Sequence, residues 1–411
     1  MERLPGFRDF YPEPLPHPDV WSADARQYIF DQWRAVAKRY GFREYDGPPL
    51  EPLELFTTKS GEEIVGQLYN FTDKGERAIS LRPEMTPTLA RMVAAHERNY
   101  KKPIKWFAIP QLFRYERQQK GRLREHFQFN ADLVGETDPA ADAELIALII
   151  DVLRSFKLTS EDFYVRLSSR NAWHEFFKQS GGDATHEYDF FQAIDKLERN
   201  PEESEKKLAA MGFSLAKVNE FIESGKPTAE LQAILDNLAA RGLRDYVAID
   251  YKVIRGLAYY TGVVFEAFDR KGEFRAIAGG GRYNNLVKLI SGGKVDLPAL
   301  GFGMGDVVLL ELLKARNLLP KFDSQMNIFV LIEDESLRTL SLKLVQDLRG
   351  AGYAVDYPLT PTKGDKQFKR AQDLKVSHTA RVENDSYVRI RNLRSRDEVV
   401  AGFADVANHL G

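Results

Sequence analysis

At 411 residues, with 43% hydrophobic and 29% charged side chains and no low-complexity tract, the chain has the make-up of a packed protein of about two or three domains. The absence of cysteine excludes disulfides, thiolate nucleophiles and cysteine-held metal or iron–sulfur centres, which leaves seven histidines and the carboxylates as possible metal ligands. A net charge of -2 excludes a global pull on phosphate polymers, so contact with nucleic acid must come from local basic patches.

Met1 to Phe10 carries charges and a Pro-Gly pair where a signal peptide needs an apolar core, and no apolar run reaches the length of a membrane span, so the expectation is a cytoplasmic protein without membrane contact. From Trp21 to Tyr40, Ala25, Ile29, Trp33, Val36, Ala37 and Tyr40 recur at helical spacing, and Gly41 is a natural stop. Phe42 to Tyr45 reads as a short strand ended by Gly47-Pro48-Pro49. Strands follow at Ala78 to Leu81, Ile104 to Phe113 and Phe127 to Val134, then an apolar helix at Ala140 to Phe156; short turns between strands point to an antiparallel sheet. Between 171 and 244 strand-like runs give way to Glu, Lys, Ala and Leu, as in a helical insertion. Strands resume at Val247 to Ile254 and Val263 to Phe268, a Gly-rich turn is expected at Gly279 to Gly281, and the first domain closes near Pro320. Asn327 to Ile332 is a strand, Leu337, Leu340, Leu344 and Leu348 mark a helix, and Tyr353 to Tyr357 is a second strand, which together make a βαβ unit.

The densest polar text is Phe113-Arg114-Tyr115-Glu116-Arg117-Gln118-Gln119-Lys120-Gly121-Arg122, running on through Arg124 to His126 between two apolar strands. It reads either as a solvated, salt-bridged turn or as a phosphate site, because a guanidinium anchored at a strand end makes a rigid bidentate clamp. In Arg82-Pro83-Glu84-Met85-Thr86 the threonine alone reads as a helix cap. Arg255-Gly256-Leu257-Ala258-Tyr259-Tyr260-Thr261-Gly262 places a cation and two aromatics among glycines that permit close backbone approach, although a core tyrosine pair explains it equally. Gly301, Gly303 and Gly305 recur at alternate positions and strip one strand face of side chains, as a flat ligand would require.

Taken in order, these stretches resemble class II aminoacyl-tRNA synthetases: Phe113 to Glu116, the basic loop and the return strand to Gly135 are similar to their motif 2, and the helix before Pro48 to motif 1. Arg255 to Tyr260 and Gly280-Gly281-Arg282-Tyr283 are similar to the signatures of histidyl-tRNA synthetases, and the resemblance covers essentially the whole chain. It implies an α+β fold, with an antiparallel-sheet catalytic domain over 1–320 that carries the insertion at 171–244, followed by a small α/β anticodon-binding domain over 325–411. The implied activity is that of a histidine-tRNA ligase, which forms histidyl-adenylate from histidine and ATP and passes the histidyl group to tRNA(His).

Residue by residue, the resemblance puts Arg114 and Arg255 on either side of the α-phosphate as the catalytic cations. Glu84, Thr86 and Gln128 receive the α-amino group, and Asp132, Tyr259 and Tyr260 the imidazole. Arg114, Glu116, His126 and Phe127 meet ATP, with Mg2+ on the phosphates and its protein ligands unassigned. Gln118, Gln119, Lys120 and Arg122 face the acceptor end of the tRNA, and Lys366, Lys369, Arg389 and Arg391 its anticodon side; Lys363 and Arg370 share the helix of the first two, and Tyr387 the strand face of the arginines. A homodimer follows from motif 1. The chain departs from the family pattern at Val307-Val308, where motif 3 usually carries Glu-Arg, at Ala258 in place of Asp, and at His126-Phe127, where the usual order is Phe-His. The rival is a non-enzymatic relative, the histidine-sensing regulatory subunit of ATP phosphoribosyltransferase, which normally lacks the C-terminal domain.

Overall fold

The structure is a computed structural model that describes residues 2–12, 21–60, 62–115, 123–197, 200–254, 260–322 and 326–410. The chain forms two compact units, Met1–Asp9 with Ala25–Leu319 and Phe10–Asp24 with Pro320–Gly411.

The first unit is built on a sheet of nine strands: β1 (Arg43–Glu44), β2 (Ile104–Ala108), β3 (Gln111–Phe113), β4 (Glu125–Val134), β5 (Phe163–Ser169), β6 (Val247–Ile249), β7 (Val263–Asp269), β8 (Ala278–Arg282) and β9 (Ala299–Gly305). Their spatial order is β6-β5-β7-β8-β9-β4-β2-β1, with β3 paired to β4. Only the edge pairs β1–β2 and β5–β6 run parallel; every other pair is antiparallel, as the short connections require. Helix α1 (Ala23–Arg39) buries Ala25, Ile29, Trp33, Val36 and Ala37, the stripe read from the sequence, and its Trp33 ring stacks on Phe129 of β4 at 5.7 Å. Helix α2 (Thr86–His96) follows the Arg82–Met85 turn, α3 (Ala140–Ser155) is buried almost all round, and α4 (Asp306–Ala315) follows β9 directly.

Three segments differ from the sequence reading. Ile104 to Phe113 is two strands, because Pro110 has no N–H for the ladder, though its carbonyl still accepts from Gln128 N at 3.1 Å. Val247 to Ile254 is a strand only as far as Ile249: the Asp250 carboxylate takes Arg166 at 2.6 Å and the Lys252 N–H at 3.0 Å, and so turns the chain. Gly279 to Gly281 is the middle of central strand β8, where a Cβ on Gly280 would overlap the Gly301 carbonyl of the neighbouring strand. The glycines serve close strand approach there, not a turn.

Over the stretch read as helical stand the helices Arg170–Gln179, Glu187–Lys196, Pro201–Ala210, Leu215–Ser224 and Ala229–Ala240. Trp173, Phe177, Phe190 and Phe213 form their core, and Ser169 and Thr228 cap two of them by accepting the N–H groups of Ala172 and Leu231. The second unit has strands β10 (Ile328–Leu331), β11 (Val355–Asp356), β12 (His378–Val382), β13 (Tyr387–Asn392) and β14 (Glu398–Gly402), with helices α5 (Arg338–Gly350) and α6 (Gly364–Asp373). Strands β11-β10-β12 are parallel, and β13 and β14 add antiparallel. The βαβ core reads as the sequence implied, with Leu344 and Leu348 of α5 packed on Ile328, Val330 and Val355.

Candidate active site

Strand β4 is the wall on which the site is built, and its two-residue period decides what faces where. His126, Gln128 and Asn130 line a cavity of about 240 Å³, and Asp132 is buried next along the same face. The alternate residues point to α1: the Phe127 ring meets Phe30 at 5.1 Å with the Arg26 guanidinium 5.4 Å from its centroid. Of the adjacent rings expected at the nucleotide, therefore, His126 lines the cavity and Phe127 does not.

The neighbouring strands supply bare backbone. Gly301, Gly303 and Gly305 of β9 lie opposite Asp132, Asn130 and Gln128, and Gly279 and Gly281 of β8 lie opposite Gly303 and Gly301. A Cβ on Gly303 would sit 2.6 Å from Gln128 Cδ, and one on Gly301 would overlap Asp132 Oδ1. Two adjacent strands without side chains make a trough, and polar side chains from β4 hang over it. The alternate-glycine reading of the sequence is thereby located.

The rim comes from the turn before α2. Arg82 is buried and holds that turn, donating to Gln111 O at 3.1 Å, Gly47 O at 2.6 Å and Asp46 Oδ1 at 3.1 Å. This places Glu84 and Thr86 on the cavity; Met85, not Thr86, is the helix N-cap. Arg114 follows β3, lines the same cavity and donates from Nε to Pro83 O at 3.0 Å. Tyr260 closes another side, and Val308 of α4 lines the cavity at the position where motif 3 usually carries arginine. The structure thus gathers Glu84, Thr86, Arg114, His126, Gln128 and Tyr260 in one place. Arg255, Tyr259, Glu116, Gln118, Gln119, Lys120 and Arg122 lie outside the described residues.

Burial sets the proton states. His126 is pushed down to about 3, first by burial and then by the nearby Arg114 and Arg8 charges, so its imidazole is neutral. Asp132 is pushed up to about 7 by burial, against the Tyr283 hydroxyl, which donates to its Oδ1 at 2.5 Å. Its Oδ2 has no hydrogen-bond partner among the described residues. The Tyr45 hydroxyl, likewise buried and without a hydrogen-bond partner among the described residues, is raised well above its usual range first by burial and then by the nearby Asp132 charge. A buried acceptor without a donor is what a pocket for an N–H-bearing ring requires.

Asn130 and Tyr283 are site residues that the sequence reading left unassigned. Asn130 was accessible through the same two-residue period as Gln128 and Asp132. Arg282, beside Tyr283 in the glycine-rich signature, points inward, paired with Asp142 of α3 at 2.5 Å and donating to the carbonyls of Glu136 and Asp138. It pins β8 and is not among the residues that line this cavity.

In the second unit a groove of about 720 Å³ is lined by Lys369, Arg389 and Arg391 together with Arg381, Phe368 and Thr379; Lys366 is exposed on α6 but does not line it. Carboxylates interleave with these cations: Glu383 takes Arg389 at 2.7 Å and Arg381 at 2.8 Å, and Glu398 lies 3.6 Å from Arg391. The groove therefore carries carboxylates as well as the cations read from the sequence. Tyr387 shares the strand face of Arg389 and Arg391, and the aromatic that lines the groove is Phe368, 5.6 Å from the Arg391 guanidinium.

A family profile described as Histidyl-tRNA synthetase matches residues 18–306. The chain is 47% identical over 396 residues to a histidine--tRNA ligase of Opitutus terrae, covering 91% of this chain and 88% of that one. It is 38% identical to the chloroplastic/mitochondrial histidine--tRNA ligase of Arabidopsis thaliana, covering 89% and 77%. Among solved structures, the histidyl-tRNA synthetase from Nostoc sp. PCC 7120 has the same fold, with a TM-score of 0.77 at 23% identity over 97% of each chain. With the trough, the arginine beside it and these likenesses together, the chain belongs to the histidyl-tRNA synthetase family.

Proposed function

We propose that this protein is a histidine-tRNA ligase that activates histidine with ATP and charges tRNA(His), and that its cavity is where the adenylate forms. The observation that carries the reading is the trough lined by Arg114, Glu84, Thr86 and Gln128, with Asp132, buried and without a hydrogen-bond partner for its Oδ2 among the described residues, next along the same face of β4. The histidine carboxylate attacks the α-phosphorus of ATP, the bond to pyrophosphate breaks, and the terminal ribose hydroxyl of the tRNA then takes the histidyl group. Negative charge grows on the α-phosphoryl oxygens, and a cation placed in advance lowers that barrier.

Arg114 suits this role because among the described residues no ion pair neutralises it, while Pro83 O fixes its Nε. Arg255 is assigned the opposite side by family match. Glu84 is an anion for the substrate ammonium, and Thr86 and Gln128 are neutral acceptors. Asp132, with Tyr260 and Tyr259, reads the imidazole, and leaving its buried acceptor unpaired is what rejects an apolar amino acid. His126, being neutral, presents an uncharged ring to the nucleotide, with Glu116 at the adenine end. Among the described residues no three carboxylates or histidines gather as a metal cage. Mg2+ would accompany the nucleotide's phosphates, its protein ligands unassigned. Gln118, Gln119, Lys120 and Arg122 are assigned to the tRNA acceptor end, and the groove of the second unit to its anticodon side. A homodimer working in the cytoplasm completes the reading; no helix among the described residues is long and apolar enough to cross a membrane.

The test is exchange of labelled pyrophosphate into ATP, run with histidine and with glycine, threonine and proline as competitors. Histidine alone should support it, and Arg114→Ala should lower the rate about 10²- to 10³-fold. Histidine binding without any exchange would instead mark a sensor.

A further inference from the structure

In the segment before α1, the side chain of Arg8 is almost wholly buried against two carboxylates, Glu125 and Asp306, while that of Arg3 is exposed. Its Nε donates to Glu125 Oε1 at 2.6 Å and its Nη2 to Oε2 at 3.3 Å; its Nη1 donates to Asp306 Oδ2 at 2.8 Å and its Nη2 to Oδ1 at 3.4 Å. Glu125 is the first residue of β4 and also takes the Gln111 side chain of β3 at 3.0 Å. Asp306 is the first residue of α4 and also accepts the Phe127 backbone N–H at 3.0 Å. One guanidinium thus ties the start of β4, strand β3 and the start of α4 together. The segment is seated around it: Gly6 O accepts from Arg124 N at 2.9 Å, and the Phe7 ring meets Tyr69 at 5.9 Å.

We propose that Arg8 is a positioning residue for the nucleotide half of the site, setting the gap between β4 and α4 into which ATP fits. This rests on reading the cavity as an adenylate-forming site. The residues flanking the tie are the ones that face the cavity there: His126 lies between Glu125 and Phe127, and Gly305 and Val308 lie on either side of Asp306. His126 and Gly305 already approach closely, since a Cβ on Gly305 would stand 3.9 Å from His126 Cδ2. With valine at position 308, α4 offers the nucleotide shape rather than charge, so the placement of that helix start matters more. The planar fork of arginine satisfies both carboxylates at once, which the single ammonium of lysine does not. Asp132 lies six residues along β4, about 20 Å away at the rise of a strand, so the histidine end should not sense the change. Arg8 also lies outside residues 18–306, the span matched by the family profile.

The experiment compares full-length Arg8→Met, Arg8→Lys and the triple variant Arg8→Met/Glu125→Gln/Asp306→Asn; the last removes the uncompensated carboxylates that could unfold the first. KM for ATP in pyrophosphate exchange should rise about tenfold to a hundredfold in Arg8→Met and in the triple variant, and less in Arg8→Lys. The dissociation constant for histidine alone, by calorimetry, should stay within about twofold of wild type. An unchanged KM for ATP in the triple variant overturns the proposal, as does a parallel loss of histidine and ATP binding, which would make Arg8 a general stabilising residue. If the wild type binds ATP but exchanges nothing with histidine, the functional reading fails instead, and calorimetry with ATP alone still decides the role of Arg8.

Discussion

Asp132 is costly to keep. In the unfolded chain its carboxyl titrates in the ordinary range near 4, while in the folded protein burial pushes it up to about 7. Between those values the native state holds a proton that the unfolded state has lost, so stability falls as pH rises through this window and levels off above 7. The full penalty is on the order of 4 kcal/mol, reduced by whatever relaxation the pocket allows. Asp132→Asn keeps the acceptor for the Tyr283 hydroxyl and removes the charge. In ligand-free thermal melts the variant should therefore exceed the wild type at pH 8 by several degrees and converge with it near pH 4, while histidine-dependent exchange is lost. A wild type that is the more stable of the two at pH 8 would contradict the assigned burial of charge. A residue kept at that expense is explained by what it recognises. Nothing local in Asn130-Ala131-Asp132 reveals the shift, because the groups that bury it, Gly301, Tyr283 and Tyr45, are distant in sequence.

At the scale of elements, the site is a pairing register. β4 puts polar side chains on one face, β9 and β8 put glycines beside them, and the antiparallel ladder sets Gly301 against Asp132 and Gly305 against Gln128. The glycines are not equivalent. Gly301→Ala would drive a Cβ into Asp132, whereas at Gly305 the backbone is in the extended region (φ -79, ψ 143) and the nearest atom is 3.9 Å away. We expect kcat/KM for histidine to fall about 10²-fold in Gly301→Ala. Gly305→Ala should stay within about threefold. Equal effects in the exchange assay would mean that the trough is not where histidine lies. The stripped face was legible from the alternation of Gly301, Gly303 and Gly305. That Gly279 to Gly281 form a strand was not, since a glycine run suits a turn equally well until the partner strand that needs the bare backbone is known. The same limit hid the two faces of His126 and Phe127. A period of two says that adjacent side chains diverge, and only the position of α1 says which one goes inward.

For the whole molecule, the two compact units give separable expectations. Lys369→Ala and Arg391→Ala, both on the groove of the second unit, should leave histidine-dependent exchange unchanged and raise KM for tRNA in aminoacylation by about fivefold, the equivalent of roughly 1 kcal/mol. A fall in exchange would show that the groove serves the first unit instead. The chain by itself determined the antiparallel character of its first sheet, the helical stretch at 171–244, the α1 and α5 stripes, the βαβ core near its C-terminus, the exclusion of thiol chemistry and, through its motifs, its family. These are properties of spacing and residue type, which act over a few residues. What only the tertiary structure decided is which of those residues meet: the ties of Arg8 to Glu125 and Asp306, the inward turn of Arg282 to Asp142, the carboxylates interleaved among the arginines of the second unit, and the proton states of His126 and Asp132. Each depends on desolvation and on charges brought together from distant parts of the chain, and such interactions come into being only when the chain packs.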